Sequence, residues 1–300
     1  MADNRGRCAA ASVVAKVGAV RIASLGFQTD LMLLSLQGSQ VEDRGDHLVV
    51  RSPHNPGHFW GNFLLFRSAP QRGTLASWEQ EFTREFPAAD HRTFGVDGTS
   101  AGAVGYEDFV TAGYEVESSA VMTASCVHAP PHPNTEARCH AVDLTDRDAR
   151  EAAIAIQMAN APQREPIGHH EFLARKMESM CALQVAGHGA WFGAFLGGRM
   201  LSGMGLFTDG SGLARFQSVD THPAARGRGL AGTLVQHVST YGFAELGATT
   251  LVMVADPLYH AINIYRSVGF VATEGQIQVE RARLPDGSGD GLSASEHPAV

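Results

Sequence analysis

From Val219 to Gly232 the chain reads Val-Asp-Thr-His-Pro-Ala-Ala-Arg-Gly-Arg-Gly-Leu-Ala-Gly, a strand end feeding a glycine turn and then an apolar-periodic helix. Such a turn suits an anion, and a pyrophosphate in particular. Backbone N–H groups in the turn and first helical positions have no intrahelical acceptor, and the helix dipole favours negative charge there. Gly227 and Gly229 let the backbone come close to phosphate oxygens. Arg226 and Arg228 add positive charge, although such arginines are also commonly solvated or ion-paired at the surface. There is no G-x-x-x-x-G-K-[ST] run, which excludes a P-loop. Nor does a G-x-G-x-x-G open a βαβ unit with an acidic residue suitably downstream. What remains is R-x-x-G-x-A, from Arg226 through Gly229 to Ala231, preceded by Pro223 and the alternating residues Val219 and Thr221.

A second pattern, Ala261-x-x-x-Tyr265-x-x-x-Gly269-Phe270, places a phenol on a short helix. A tyrosine there either protonates a leaving group or packs in the core with its hydroxyl satisfied. Asp220, His222 and Asp256 lie near the proposed strand ends as candidate bases, and each is equally suited to a turn or a cap. Cys181 sits in a helical pattern and reads as packing. Cys126-x-His128, His132 and Cys139-His140 fit no closed zinc spacing, so no metal is expected.

On these two motifs the chain resembles the GNAT superfamily of acyl-CoA-dependent N-acyltransferases. The likeness spans residues 146–283 and is sharpest over Val219–Gly232 and Ala261–Phe270. It implies a mixed sheet whose fourth and fifth strands splay to admit the pantetheine arm of CoA. Val219 and Thr221 would offer backbone groups to that arm. Arg226, Gly227, Arg228, Gly229, Leu230 and Ala231 would wrap the pyrophosphate of acetyl-CoA, with Gly232 following as the helix closes. Tyr265 would protonate the departing thiolate. Many relatives carry Asn seven residues before this tyrosine, where Leu258 stands here. The resemblance implies direct attack by an amine, either of a small molecule or of a protein N-terminus or lysine. The other reading is a non-catalytic acyl-CoA-binding regulator or scaffold.

The elements that must position these residues recur twice. In the second half, strand patterns at Ala190–Leu196 and Met200–Phe207 form a hairpin about Gly197-Gly198. Leu213–Thr221, a helix over Leu230–Leu246, a strand over Thr249–Val254, a helix around Tyr259–Ser267 and two strand pieces ending near Arg283 follow. Helices over Asp146–Met158 and His169–Leu183 precede them. An ungapped offset of ~156 residues lays the same order over residues 61–123. There Arg226 meets Pro70, Gly227 meets Gln71 and Tyr265 meets Phe109. The expectation is therefore an α/β protein of two tandem GNAT-like domains, each a mixed, mostly antiparallel twisted sheet flanked by helices. Residues 1–25 would be a flexible arm, 26–127 a degenerate copy, 128–137 a Pro-rich linker, 138–284 the catalytic domain and 285–300 a disordered tail. Asn55, Pro56, Phe59, Trp60 and Phe63 of the first copy could wall an acceptor pocket or simply form core.

A length of 300 residues suits two domains, and 44% hydrophobic with 18% charged residues supports packed cores. The net charge of −8 without a basic run argues against nucleic acid. Four scattered cysteines suit a reducing cytoplasm, and no apolar stretch approaches membrane-span length, because Lys16 and Arg21 interrupt the only candidate. A homodimer is left open.

Overall fold

The computed structural model describes residues 16–17, 20–100, 102, 104–162 and 164–282. The tail expected over 285–300, and most of the expected N-terminal arm, lie outside these residues. Where the arm is described it is structured: β1 (Lys16–Val17) pairs with β2 (Val20–Arg21), and Ser24 caps α1 (Leu25–Leu36) by accepting from the Phe27 N–H. The Asp97 carboxylate also accepts from the N–H groups of Ala23 and Ser24, so a loop 73 residues away fixes the helix entry.

After α1 come β3 (Gln40–Asp43), β4 (His47–Arg51), β5 (Phe63–Phe66), α2 (Leu75–Glu85), β6 (His91–Val96), α3 (Glu107–Thr111) and β7 (Glu115–Ala124). The second half runs β8 (Arg138–Val142), α4 (Arg147–Asn160), α5 (Pro166–Val185), β9 (Gly189–Leu196), β10 (Arg199–Phe207), β11 (Leu213–Thr221), α6 (Leu230–Ala244), β12 (Thr250–Ala255), α7 (Ala261–Arg266) and β13 (Val271–Ala282). Two strand pieces were expected after Gly269; β13 is instead one strand, with a register shift near its start between Ala272 and Glu274. Helices α4 and α5 start where capping chemistry dictates. Asp146 accepts from Asp148 N–H, and Glu165 accepts from the N–H groups of Ile167 and Gly168 ahead of Pro166.

The same order of helix, three strands, helix, strand, helix and strand thus appears twice, with the same pairing. β3–β4–β5 are antiparallel neighbours and β5–β6 are parallel, just as β9–β10–β11 are antiparallel and β11–β12 parallel. The two copies do not make separate sheets. One 11-stranded sheet runs β3-β4-β5-β6-β13-β7-β12-β11-β10-β9-β8. The last strand of each half has crossed over: β13 pairs with β6, β7 pairs with β12, and the two pair with each other. Their side chains complete each other's cores. Ile277 and Val279 of β13 pack with Trp78, Phe94 and Phe109 of the first half, while Met122 and Ala124 of β7 pack with Leu234, Phe216 and Phe270 of the second.

The ~156-residue offset aligns strand end with strand end and helix with helix, but it misplaces the sheet register. β5 stops at its last parallel pair, Phe66–Val96, whereas β11 runs on from Phe216 to Thr221 beyond its last, Arg215–Val252. Only the second half therefore has two parallel strands that part company, because only there does chain remain after the pairing ends.

The exchange makes a stability prediction. Residues 138–300 expressed alone would present β12 and β13 without β7 between them and would expose the apolar face that β7 covers. This fragment should be unfolded or aggregated by far-UV circular dichroism and size exclusion. A soluble, folded monomer would show that the halves are independent.

Candidate functional site

The parted ends of β11 and β12 open into a cavity of about 1360 Å3 lined by both halves of the chain. Val219, Thr221, Arg226, Gly227, Gly229, Leu230, Ala231, Gly232 and Tyr265 all line it; of the residues that the resemblance assigns to acyl-CoA or to catalysis, Arg228 alone does not. The path of β11 explains how its backbone reaches the cavity. Gly203 faces Asp220 and Gly205 faces Gln217, so Ser218 and Val219 together oppose Met204 as a bulge. Ser218 takes φ 51, the left-handed region that a non-glycine residue enters at a cost of about 1–3 kcal/mol. The bulge turns the backbone of Val219 out of the sheet ladder and into the gap. Nothing in the residue types announced it, since serine is ordinary in a strand.

After β11 the chain makes a short turn, Pro223–Ala225, capped by the His222 ring accepting from Ala224 N–H. Gly227 and Gly229 follow at φ 72 and 75, conformations that glycine adopts freely, and the second delivers the chain into α6. Among the described residues no acceptor meets the N–H groups from Gly227 to Gly232. Several unpaired donors at a helix N-terminus therefore face the cavity, as a pyrophosphate requires. The linker closes the far side of the turn. Asn134 takes the Arg228 carbonyl with its side chain and the Thr233 hydroxyl with its N–H (2.9 and 2.8 Å), and Pro130 packs beside Gly232.

Tyr265 is 1% exposed on α7. Burial first, then the charge of Asp220 and the neighbouring Tyr259, pushes its hydroxyl well above the usual phenol range, so it keeps its proton. In the first half α3 carries Phe109 at the corresponding place, fully buried in the aromatic core around Trp78 and Phe94.

The three candidate bases separate. His222 caps a turn, and Asp256 is exposed with its carboxylate accepting from Leu258 N–H at 2.7 Å. Asp220 is buried, lines the cavity and is raised in pKa, chiefly by burial. Asn160, at the end of α4, donates to Asp220 at 2.7 Å and accepts from Arg226 at 2.7 Å, tying the strand end to the glycine turn. Sequence reading missed three other cavity residues. Glu117, on the exchanged strand β7, is half-buried and raised by burial and by Glu115 and Asp256. Lys176 comes from α5, and His58 from the loop before β5. No local pattern marks these residues, because strand exchange and helix packing bring them in. Asn55, Trp60 and Phe63 do line the cavity, whereas Phe59 stacks on His91 with ring centres 4.3 Å apart.

His58 carries a pH dependence. Burial, with Lys176 and His91 nearby, lowers its pKa from 6.5 to about 4. The unfolded chain thus binds a proton that the fold refuses, and stability should fall as pH drops from 6.5 towards 4. His58→Asn should flatten that part of a urea-denaturation profile against pH. An unchanged slope would remove His58 as its source.

The sequence of residues 151–270 matches the family model described as "Acetyltransferase (GNAT) family". Residues 151–270 are a GNAT-family domain. Solved structures share the fold over nearly the whole chain at low identity. A functionally unknown conserved protein from Staphylococcus epidermidis is 10% identical with a TM-score of 0.64, over 81% of this chain and 93% of its own. A GCN5-related N-acetyltransferase from Kribbella flavida is 15% identical with a TM-score of 0.57, over 88% and 96%. A tandem GNAT protein from the clavulanic acid biosynthesis pathway is 14% identical with a TM-score of 0.51, over 87% and 95%. No curated protein matches the chain. The fold is GNAT-like and tandem, and the GNAT domain contains the parted strands, the glycine turn and Tyr265. Among the described residues no helix is long and apolar enough to cross a membrane, and no cluster of three or more His, Cys, Asp or Glu is disposed to hold a metal ion.

Proposed function

We propose that this protein transfers an acetyl or other short acyl group from acyl-CoA to an amine, with the chemistry in the GNAT domain and the first half a non-catalytic copy that walls the acceptor side. The observation that carries this reading is a single cavity that joins a donor-rich glycine turn, a parted strand pair and a buried neutral phenol. The pyrophosphate would sit on the N–H groups of residues 227–232. The pantetheine arm would lie along Val219 and Thr221 between β11 and β12. The amine attacks the thioester carbonyl, a C–N bond forms as the C–S bond breaks, and the sulfur takes its proton from Tyr265. The proton shed by the amine goes to a cavity base. Glu117 and Asp220 are suited, since burial raises both carboxyls towards neutrality. The cytoplasm, where acyl-CoA is made, is the location that fits.

Calorimetric titration with acetyl-CoA, followed by a screen of amines for thiol release, tests the proposal. Saturable binding with amine-dependent release supports it. Binding without turnover of any amine would favour the acyl-CoA-binding regulator, and no binding by folded protein would end the acyl-CoA reading.

A further inference from the structure

The cavity, at about 1360 Å3, exceeds the ~300–1,000 Å3 of ordinary small-ligand pockets, so it has room for two substrates. Its walls divide by face of the sheet. Tyr265 and the glycine turn belong to the side of α6 and α7, whose helices pack on Ala214, Phe216, Leu251 and Met253. The opposite side is bounded by α1, α5 and the loop before β5, and it sets polar groups among apolar ones such as Leu34, Phe63 and Phe172: Ser52, His54 and His58 come from the first half, Gln217 and Gln276 from the strands, and Lys176 from α5.

The arginines of that chamber have partners, whereas its lysine has no ion pair among the described residues, and the lining also includes the carboxylates Glu178 and Asp256. Arg215 pairs with Asp30 at 3.0 Å, Arg175 lies 3.9 Å from Glu171, and Arg226 reaches Asp220 through Asn160. Lys176 lines the cavity partly exposed, and among the described residues no carboxylate lies within ion-pair reach of it. Burial lowers its pKa, and the charge of Asp220, further away, works against that lowering. A cation drawn into a cavity without a counter-ion is costly unless a ligand supplies the anion. One ammonium matches one carboxylate, whereas a phosphate would call for a fork of arginine donors or a second cation.

We propose that Lys176 receives the carboxylate of the acceptor, which is a small amino-acid-type molecule carrying both a free amine and a carboxylate, held between α5 and the loop of the first half that bears His58. This rests on the acyl-transfer reading. The neutral ring of His58, whose pKa the Lys176 charge helps to depress, can donate a hydrogen bond to the second carboxylate oxygen. Selectivity in the acceptor chamber is then shared between Lys176 of the second half and His58 of the first, and neither belongs to the glycine turn or the tyrosine motif.

The test begins with acetyl-CoA binding to the intact chain and to Lys176→Met by calorimetry. Thiol release is then followed with free amino acids, their amides and their decarboxylated amines, phenylalanine, phenylalaninamide and phenethylamine among them. Amino acids should show a KM roughly 10- to 100-fold below those of their amides and amines. Lys176→Met should erase that gap while leaving acetyl-CoA affinity unchanged. Equal use of amines that lack a carboxylate, or an unchanged KM in the variant, would overturn the inference. Weakened acetyl-CoA binding by Lys176→Met would assign the lysine to the donor instead. Acetyl-CoA binding with transfer to other amines and to no amino acid would sink this inference alone. No acetyl-CoA binding by folded wild type would bring down both readings.

Discussion

Gly227→Asp is expected to fold as the wild type does and to lose acetyl-CoA affinity by roughly a hundredfold. A Cβ at Gly227 meets nothing within 4 Å, and aspartate tolerates the left-handed conformation of φ 72 better than most residues. The variant therefore costs the fold little, and a carboxylate just ahead of α6 is favourable to the helix dipole. It is unfavourable to the ligand. A unit charge ~6 Å from a phosphate, at an effective dielectric near 20, opposes binding by about 2–3 kcal/mol, roughly a hundredfold in Kd. Gly227→Asn has almost the same shape without the charge and should bind far better than Gly227→Asp. Calorimetry on the pair decides, and equal affinities would mean that no anion sits at the turn. Gly229 is a poorer probe. A Cβ there would run into the His132 carbonyl, so a substitution disturbs the linker as well as the turn.

Tyr265→Phe should lower kcat by roughly 10²- to 10⁴-fold, the usual worth of a positioned proton donor, with acetyl-CoA affinity kept. The ring itself is buried against the core of α6 and the sheet, and phenylalanine preserves that packing. The hydroxyl makes no hydrogen bond among the described residues, so the melting temperature should move little. Its raised pKa keeps the phenol protonated throughout neutral pH, which an acid needs and which a hydroxide-like base would not. Unchanged turnover in Tyr265→Phe would remove the tyrosine from the reaction and leave its role as packing, as for Phe109 in the first half.

The second half was the more legible because its signals are local. The bounds of β11 (Leu213–Thr221) and the Gly197-Gly198 hairpin follow from alternation and turn chemistry. α7 proved shorter than its pattern: Tyr259 and His260 stay outside it, because the Asp256 carboxylate holds a turn at Leu258 instead. In the first half α1, β3 and β4 went unread. α1 is buried nearly all round, from Phe27 to Leu34, so it shows no amphipathic stripe to recognise. Nothing in the sequence marks Arg215; its partner Asp30 lies in that unread helix, and its bond to Thr29 is visible only once α1 is packed on β11.

What the sequence by itself determined is the local apparatus: the glycine turn, the helix that follows, the place of Tyr265 and the order of elements repeated along the chain. Each depends on residues a few positions apart, where backbone conformation and periodicity follow directly from residue type. Only the tertiary structure decided that β7 and β13 exchange, that β11 outruns its parallel partner while β5 does not, and that Lys176, Glu117 and His58 share one cavity with Tyr265. Those outcomes depend on which edge a strand finds and where a parallel register stops, and packing between residues distant in the sequence sets both.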